Sequence, residues 1–337
     1  MNEESKPTDL ITKKNRFPVW IIIVAAVVIV AATAGVISWA NSSGPSRKSS
    51  GQLDLTQKNA ADLNYEQAVI TYEAQITIVP STPTPAPTPT PTPIPISVAE
   101  INERNFPDEN FRNYVKDTFD TDADGKLSET ECNKSYIDVS YKDIKDLKGI
   151  EFFTEMTTLL CSHNHLVSLD VSKNTNLVRL ECNGNQLTSL NVSKNTKLER
   201  LLCNGNQLTS LDVSNNTALE FFWCYENQLT SLDISNNTTL IFLNCHSNQL
   251  ASLDTSNKTE LKDLNCSFNR LTNLDVSSST KLKWLICYYN QFTSLDVSKN
   301  TALEYLYCVG NQLTTLDVSN CDPNIIVLAD SGVTLIQ

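Results

Sequence analysis

Histidine is nearly missing from this chain. There are three in 337 residues, His163, His165 and His246, and none stands in a Ser or Cys arrangement that would serve as a nucleophile–base pair. Basic charge is also scarce, with 26 Lys and Arg against 38 Asp and Glu and a net charge of −12. With no Lys/Arg-rich tract either, nucleic acid is excluded as a partner. No cysteine follows the long apolar run closely enough for a lipobox, and no LPxTG-like signal stands near Gln337, so neither lipid nor wall-sorting attachment is expected.

Cysteine, by contrast, is abundant and periodic. Cys161, Cys182, Cys203, Cys224, Cys245, Cys266, Cys287 and Cys308 recur every 21 residues. Around each returns one frame, as in Leu177-x-x-Leu180-x-Cys182-x-x-Asn185-x-Leu187-x-x-Leu190-x-Val192. This is a leucine-rich repeat in which Cys holds the second inward strand position. A fixed period of this length means a solenoid whose units bury their apolar faces against their neighbours, and it points away from enzyme folds. The expected fold is therefore a leucine-rich repeat solenoid, a parallel β horseshoe over residues 136–337.

An outside location would ordinarily make ten cysteines a disulfide framework. In-register parallel strands lie about 4.8 Å apart with their side chains pointing the same way, which suits thiol contact better than the S–S dihedral. Buried thiols pack as small hydrophobes. A metal ladder is disfavoured because no His accompanies the sulfurs. The off-register Cys132 and Cys321 fall at opposite ends of the solenoid, about 40 Å apart, and cannot pair within one chain. They are expected to be the reachable thiols, Cys321 above all.

Residues 19–40 carry no charge and are dominated by Ile, Val and Ala, long enough as a helix to cross a hydrocarbon layer of about 30 Å. Trp20 and Trp39 mark the two interfaces. Lys13, Lys14 and Arg16 crowd the N-terminal flank, which predicts a single-pass membrane anchor, with a cytoplasmic tail at 1–18 and the rest outside. The competing reading is a signal peptide cleaved near Ser38-Trp39-Ala40; such apolar regions are usually shorter. A polar segment follows at 41–78. Residues 79–96 then hold eight of the thirteen prolines, mostly alternating with Thr. That composition predicts a polyproline II stalk roughly 55 Å long, open to O-glycosylation.

Residues 97–135 are expected to form a small helical cap. Pro107 is placed at a first helical position, with Asp108 and Glu109 in the first turn and Phe111, Tyr114, Val115 and Phe119 at helical spacing. Asp120-Thr-Asp122-Ala-Asp124-Gly125-Lys126-Leu127-Ser128-Glu129-Thr130-Glu131 then matches the twelve-residue EF-hand loop. Asp120, Asp122, Asp124 and Glu131 would supply carboxylates to Ca2+, Lys126 its backbone carbonyl, and Ser128 a direct or water-mediated ligand. A single loop of this kind suits a structural staple better than a sensor. The bland alternative is an acidic turn.

The frame Cys-x-x-Asn-Gln-Leu-Thr-Ser-Leu-Asp-Val-Ser-x-Asn-Thr resembles the internalin group of bacterial surface leucine-rich repeat proteins, in particular those with 21-residue, cysteine-laddered repeats. Phe106-Pro-Asp-Glu-Asn-Phe111 with the loop after it is similar to the N-terminal part of surface leucine-rich proteins of Gram-positive anaerobes. The resemblance covers residues 97–337 and implies a non-enzymatic cell-surface adhesin or recognition protein. The chain departs from internalins in its N-terminal apolar run and in lacking the sorting signal.

Alternation along each strand sends the residues three before, one before and one after each Cys onto the concave face. From the fourth repeat these are Phe221, Trp223, Tyr225, Phe242, His246, Trp284, Tyr288, Tyr305 and Tyr307, with Phe268 and Tyr289 one step further. An aromatic cluster of this kind marks a binding surface for a protein, peptide or glycan. The alternative is that the rings only support the sheet or pack on one another, in an architectural or self-associating protein. The asparagines from Asn164 to Asn311 and the aspartates from Asp170 to Asp317 are expected to satisfy backbone groups and shape turns.

Overall fold

The structure, a computed structural model, describes residues 97–337. The expected tail, span, polar segment and stalk lie outside the described residues. Among the described residues no helix is long and apolar enough to cross a membrane.

The cap opens with β1 (Ser97–Glu100), paired antiparallel with β2 (Lys126–Ser128). Between them runs α1 (Glu109–Phe119), and after them the single turn α2 (Glu129–Cys132). Asp108, not Pro107, borders the first helix: it is the N-cap, its Oδ1 accepting from Phe111 N at 3.0 Å. Pro107 stands one residue before the cap, because an Asp side chain that can take a free N–H defines the start better than a residue that merely lacks one. The second Asp108 oxygen accepts from Lys145 N at 2.8 Å, which ties the helix start to the first repeat. Phe111, Val115 and Phe119 form the buried stripe of α1. Phe119 packs on Phe153 at 5.1 Å between ring centroids and Phe106 on Phe152 at 5.7 Å, so cap and repeats share one core. Gly149 (φ 105°) passes beneath Phe106, where a Cβ would lie 2.2 Å from the ring.

The repeats build a ten-stranded parallel sheet. Its strands are β3 (Tyr136–Asp138), β4 (Thr158–Leu160), β5 (Arg179–Glu181), β6 (Arg200–Leu202), β7 (Phe221–Trp223), β8 (Phe242–Asn244), β9 (Asp263–Asn265), β10 (Trp284–Ile286), β11 (Tyr305–Tyr307) and β13 (Ile326–Leu328). β12 (Thr315–Asp317) and β14 (Thr334–Ile336) pair separately near the C-terminus. Register advances by one full repeat per strand, Leu180 facing Leu201 and Leu201 facing Phe222, so equivalent side chains stack in columns.

The cysteine column points inward, and all eight of its members are buried. Cys161 Sγ donates to Glu181 O at 3.3 Å and Cys203 Sγ to Trp223 O at 3.5 Å, so the thiols use the carbonyls of the next repeat. All ten cysteines are free thiols. Burial raises the pKa values of Cys132 and the eight ladder thiols, to about 12 for Cys182, Cys245 and Cys308, which keeps them protonated and unreactive. Cys321 corrects the expectation of a reachable thiol. It is only 7 % exposed, filling the convex position that Asn300 holds one repeat earlier, with its Sγ toward Val297 O. Native protein should therefore show almost no thiol labelling over minutes, and ten labels after denaturation. Early reaction of several ladder cysteines would contradict the inward column. Cys224→Ser, which puts a hydroxyl in the apolar stack, should cost about 1–3 kcal/mol in a denaturation midpoint experiment.

Two asparagine columns frame the core. In the first, Asn185 Nδ2 donates to Cys161 O and Cys182 O, both at 3.0 Å, while its Oδ1 accepts from Leu166 N at 3.1 Å. In the second, on the convex side, Asn195 Nδ2 donates to Val171 O at 3.0 Å and Asn174 O at 2.9 Å. That second column gives way to Lys258 and Ser279 and resumes at Asn300, whose Nδ2 donates to Val276 O and Ser279 O. The aspartates make turns as expected: Asp212 Oδ1 accepts from Ser214 N, and Asp233 Oδ1 from Ser235 N.

Candidate functional site

Parallel, in-register strands bring residues of one column to about 4.8 Å, the spacing at which flat rings stack. The concave face uses this spacing repeatedly. Phe221 and Phe242 stack at 4.6 Å between centroids, Tyr225 and His246 at 4.4 Å, and Trp284 and Tyr305 at 3.7 Å. The Arg200 guanidinium lies 4.5 Å over the Phe221 ring and extends the first stack toward the polar repeats. Trp223 leans on Tyr225, and Tyr307 meets Tyr305 edge-on.

All the rings expected on this face are on it or at its rim, but they are less exposed than a free aromatic patch. Phe221, Phe242, His246 and Tyr288 are buried, while Trp223, Tyr225, Trp284, Tyr305 and Tyr307 are half-buried. Phe268 and Tyr289 sit one position past the strand face, on the rim, with left-handed backbones (φ 51° and 52°). They stack on each other at 4.8 Å, and both meet Tyr288 edge-on. Gly184, Gly205 and Gly310 occupy the same positive-φ column, which His163, Glu226, Ser247, Phe268 and Tyr289 also hold despite the Cβ that disfavours it. Tyr289, at 43 % exposure, is the ring of this group that stands furthest into solvent.

Between the two groups of rings runs a polar strip that the sequence pattern did not single out. On β9 it comprises Asp263 and Asn265, continued by Ser267, with Asn244 alongside on β8; all four are buried. Asn265 Oδ1 accepts from Ser267 N and Asn244 Oδ1 from His246 N, so part of the strip rigidifies the strand exits. Among the described residues, the Asn265 amide N–H2, the Ser267 hydroxyl and the Trp223 indole N–H have no partner. Buried donors are nearly always paired, so three unmet ones on one face mark a place where something outside the chain supplies acceptors. Burial also lifts the Asp263 carboxyl pKa to about 7, despite Lys262 and Lys283 pulling it down.

The loop expected to hold calcium is well formed but divided. Asp120, Asp122 and Asp124 each present a carboxylate oxygen, all within 4.8 Å of one another. The loop backbone is wrapped around them: Asp124 N and Gly125 N donate to Asp120, and Lys126 N donates to Asp124 at 2.7 Å. Gly125 takes the left-handed turn at φ 77°. An all-oxygen set of this charge fits a hard cation. Glu131 stands outside that trio. Its carboxylate accepts from Thr121 N and Oγ1 at 2.6 and 2.7 Å and from Ser128 N and Oγ at 2.9 and 2.8 Å, while Ser128 caps α2 in return. Burial pushes the Glu131 pKa up, but these hydrogen bonds outweigh it and bring the value to about 2. Lys126 begins β2, where it pairs with Glu100 of β1.

No protein-family model matches the chain. Over 71 residues it is 42 % identical to internalin J of Listeria monocytogenes serotype 4b strain F2365, a stretch covering 21 % of this chain and 8 % of that protein. The functional domain of InlJ from Listeria monocytogenes, whose structure includes a cysteine ladder, matches at TM-score 0.59 and 34 % identity. That match covers 69 % of this chain and 62 % of the other. This is a leucine-rich repeat protein similar to internalin J. The matched parts are a small share of the whole curated protein and under two thirds of the solved chain, so the likeness to internalin J is one of repeat architecture and thiol ladder. Internalin C2 from Listeria monocytogenes shares the fold at TM-score 0.51 and 19 % identity, over 72 % of this chain and all of that one.

Proposed function

We propose that this internalin J-like chain is a membrane-tethered, cell-surface recognition protein that holds a protein partner on the concave face of its repeats. Internalin-like leucine-rich repeat proteins are surface-associated, protein-binding proteins. The observation that carries the reading is the juxtaposition of stacked aromatic walls with buried, unmet hydrogen-bond donors on one face. A structural sheet face needs neither. In this reading the apolar run at 19–40 anchors the chain in a bacterial membrane and the stalk at 79–96 lifts the repeats away from it.

Pull-down with the full-length protein, followed by binding measurements on the partner recovered, tests the site. Trp223→Ala combined with Trp284→Ala removes one ring with an unmet donor and one ring of the tightest stack. A truncated hot spot costs at least about 2 kcal/mol, roughly thirtyfold, so affinity should fall roughly several hundredfold when the two rings act independently. Lys194→Ala with Lys299→Ala, both exposed on the opposite surface, should leave it unchanged. Capture abolished by the lysine pair and retained by the tryptophan pair would move the site off the concave face.

We further propose that the loop from Asp120 binds Ca2+ and staples the cap to the first repeat. Asp120, Asp122 and Asp124 would hold the ion, whose charge offsets their mutual repulsion. At 100 times its dissociation constant the ion would add about 2.7 kcal/mol, seen as a higher melting temperature with calcium than with chelator. Because Glu131 also caps α2, its replacement by Ala destabilises the cap with or without an ion. Asp122→Asn with Asp124→Asn is the cleaner variant and should erase the calcium difference. Identical wild-type melts with calcium and with chelator would reject the ion.

A further inference from the structure

The concave strip on β9 contains polar groups that the fold itself leaves unused, and their chemistry specifies an occupant. Asp263, Asn265 and Ser267 alternate along one strand and its exit, so their side chains share the concave side. The Asn265 amide and the Ser267 hydroxyl are fully buried and unmet, as is the Trp223 indole N–H one wall away. Asp263 is only 6 % exposed. Of the two lysines that act on it, Lys283 is held by Glu304 at 2.7 Å. The strip thus offers one under-compensated carboxylate beside several donors in need of acceptors.

We propose that this strip is the specificity-determining floor of the concave site, and that it takes a basic side chain, arginine or lysine, carried by an extended segment of the partner protein. The proposal rests on the concave-face reading above. A cation answers Asp263, and the backbone carbonyls of the same segment answer Asn265, Ser267 and Trp223 as the side chains that shield these donors in the free chain make way for it. The flanking strands supply aromatic faces: Phe242 and Trp284 lie in the same column as Asp263, one repeat to either side. Cations favour such faces, and the chain already stacks its own Arg200 on Phe221 in that column at 4.5 Å. A neutral glycan could meet the donors but would leave the carboxylate uncompensated, and an anion would be repelled by it. The overall charge of −12 steers basic partners toward the molecule.

The probe is N-acetyl-arginine amide, set against its neutral isostere N-acetyl-citrulline amide. Each is titrated into the full-length protein in detergent micelles at pH 8 and followed by tryptophan fluorescence, with Trp223 and Trp284 as reporters. The arginine derivative should bind about tenfold more tightly than the citrulline derivative. Asp263→Asn, which keeps the shape and removes the charge, should bring the two to equal affinity. Equal affinities in the wild type, a preference that survives Asp263→Asn, or no saturable binding of either probe would each overturn the basic occupant. If the basic occupant fails in any of these ways while the tryptophan pair still abolishes partner capture, the concave site stands with a different ligand. If the tryptophan pair also leaves capture intact, both readings fall. Tighter binding of a neutral oligosaccharide such as maltoheptaose, insensitive to Asp263→Asn, would assign the floor to a glycan and reject the basic residue.

Discussion

Replacing Asn206 by alanine should lower the stability of the repeat domain by about 3 kcal/mol or more, the largest loss expected from a single polar substitution in this chain. Asn206 Nδ2 donates to Cys182 O and Cys203 O, both at 3.0 Å, and its Oδ1 accepts from Leu187 N at 3.0 Å. One side chain thus satisfies three backbone groups across two successive repeats, all in the dry interior. Alanine leaves Leu187 N without a partner, at about 1–3 kcal/mol, and takes one of two amide donors from each carbonyl, Cys182 O keeping Asn185 Nδ2 and Cys203 O keeping Asn227 Nδ2, for about 1 kcal/mol more apiece. Asn206→Asp should do no better, because a carboxylate keeps the acceptor and loses both donors. Units of a solenoid are stabilised only by their neighbours, so damage at this joint should also broaden the unfolding transition. The control is Asp212→Ala, which loses one bond to Ser214 N at the exposed turn and should change little. Denaturant midpoints that place the two variants together would remove the asparagine column from the list of what holds the repeats in register.

The repeat frame was legible because periodicity fixes side-chain direction. Once Cys182 and Cys203 are 21 residues apart on in-register strands, their inward column follows, and so do the asparagine bend and the aspartate turn. The stacking of Phe221 on Phe242 was implicit in the same arithmetic. What periodicity does not give is depth. Phe242 and Tyr288 point to the concave side as alternation requires, yet neighbouring rings cover them. In the sequence Asp263 and Asn265 are polar breaks in the aromatic columns; only the strands on both sides turn them into a buried floor. The convex asparagines were visible as a repeat, but a structural role needs the carbonyls they meet, such as Val171 O for Asn195. Glu131 shows the opposite limit. Its place in the loop motif is right, and the same three-residue spacing from Ser128 is also a capping box, which is what the side chain makes here.

Asp263→Asn should stabilise the repeats, by up to about 4 kcal/mol above pH 7 and by almost nothing below pH 4. Burial raises the Asp263 pKa from 3.8 to about 7. Lys262 and Lys283 lower it and Glu304 raises it, while β8 contributes Phe242 and Asn244 alongside, neither of which titrates. A carboxyl with a raised folded pKa keeps its proton in the fold after the unfolded chain has released it. Its contribution is therefore intact below about pH 4, declines as the pH rises through the window between the two values, and settles at its full penalty above about pH 7. The difference in unfolding free energy between variant and wild type, measured from pH 3 to 8, isolates this group from every other titration. Glu131, with its pKa lowered to about 2, acts in the opposite direction and below that window, and it cancels in the comparison. A difference that stays flat across the range would mean that the Asp263 carboxylate is already compensated within the chain, and the floor of the concave site would then have no charge to offer a partner.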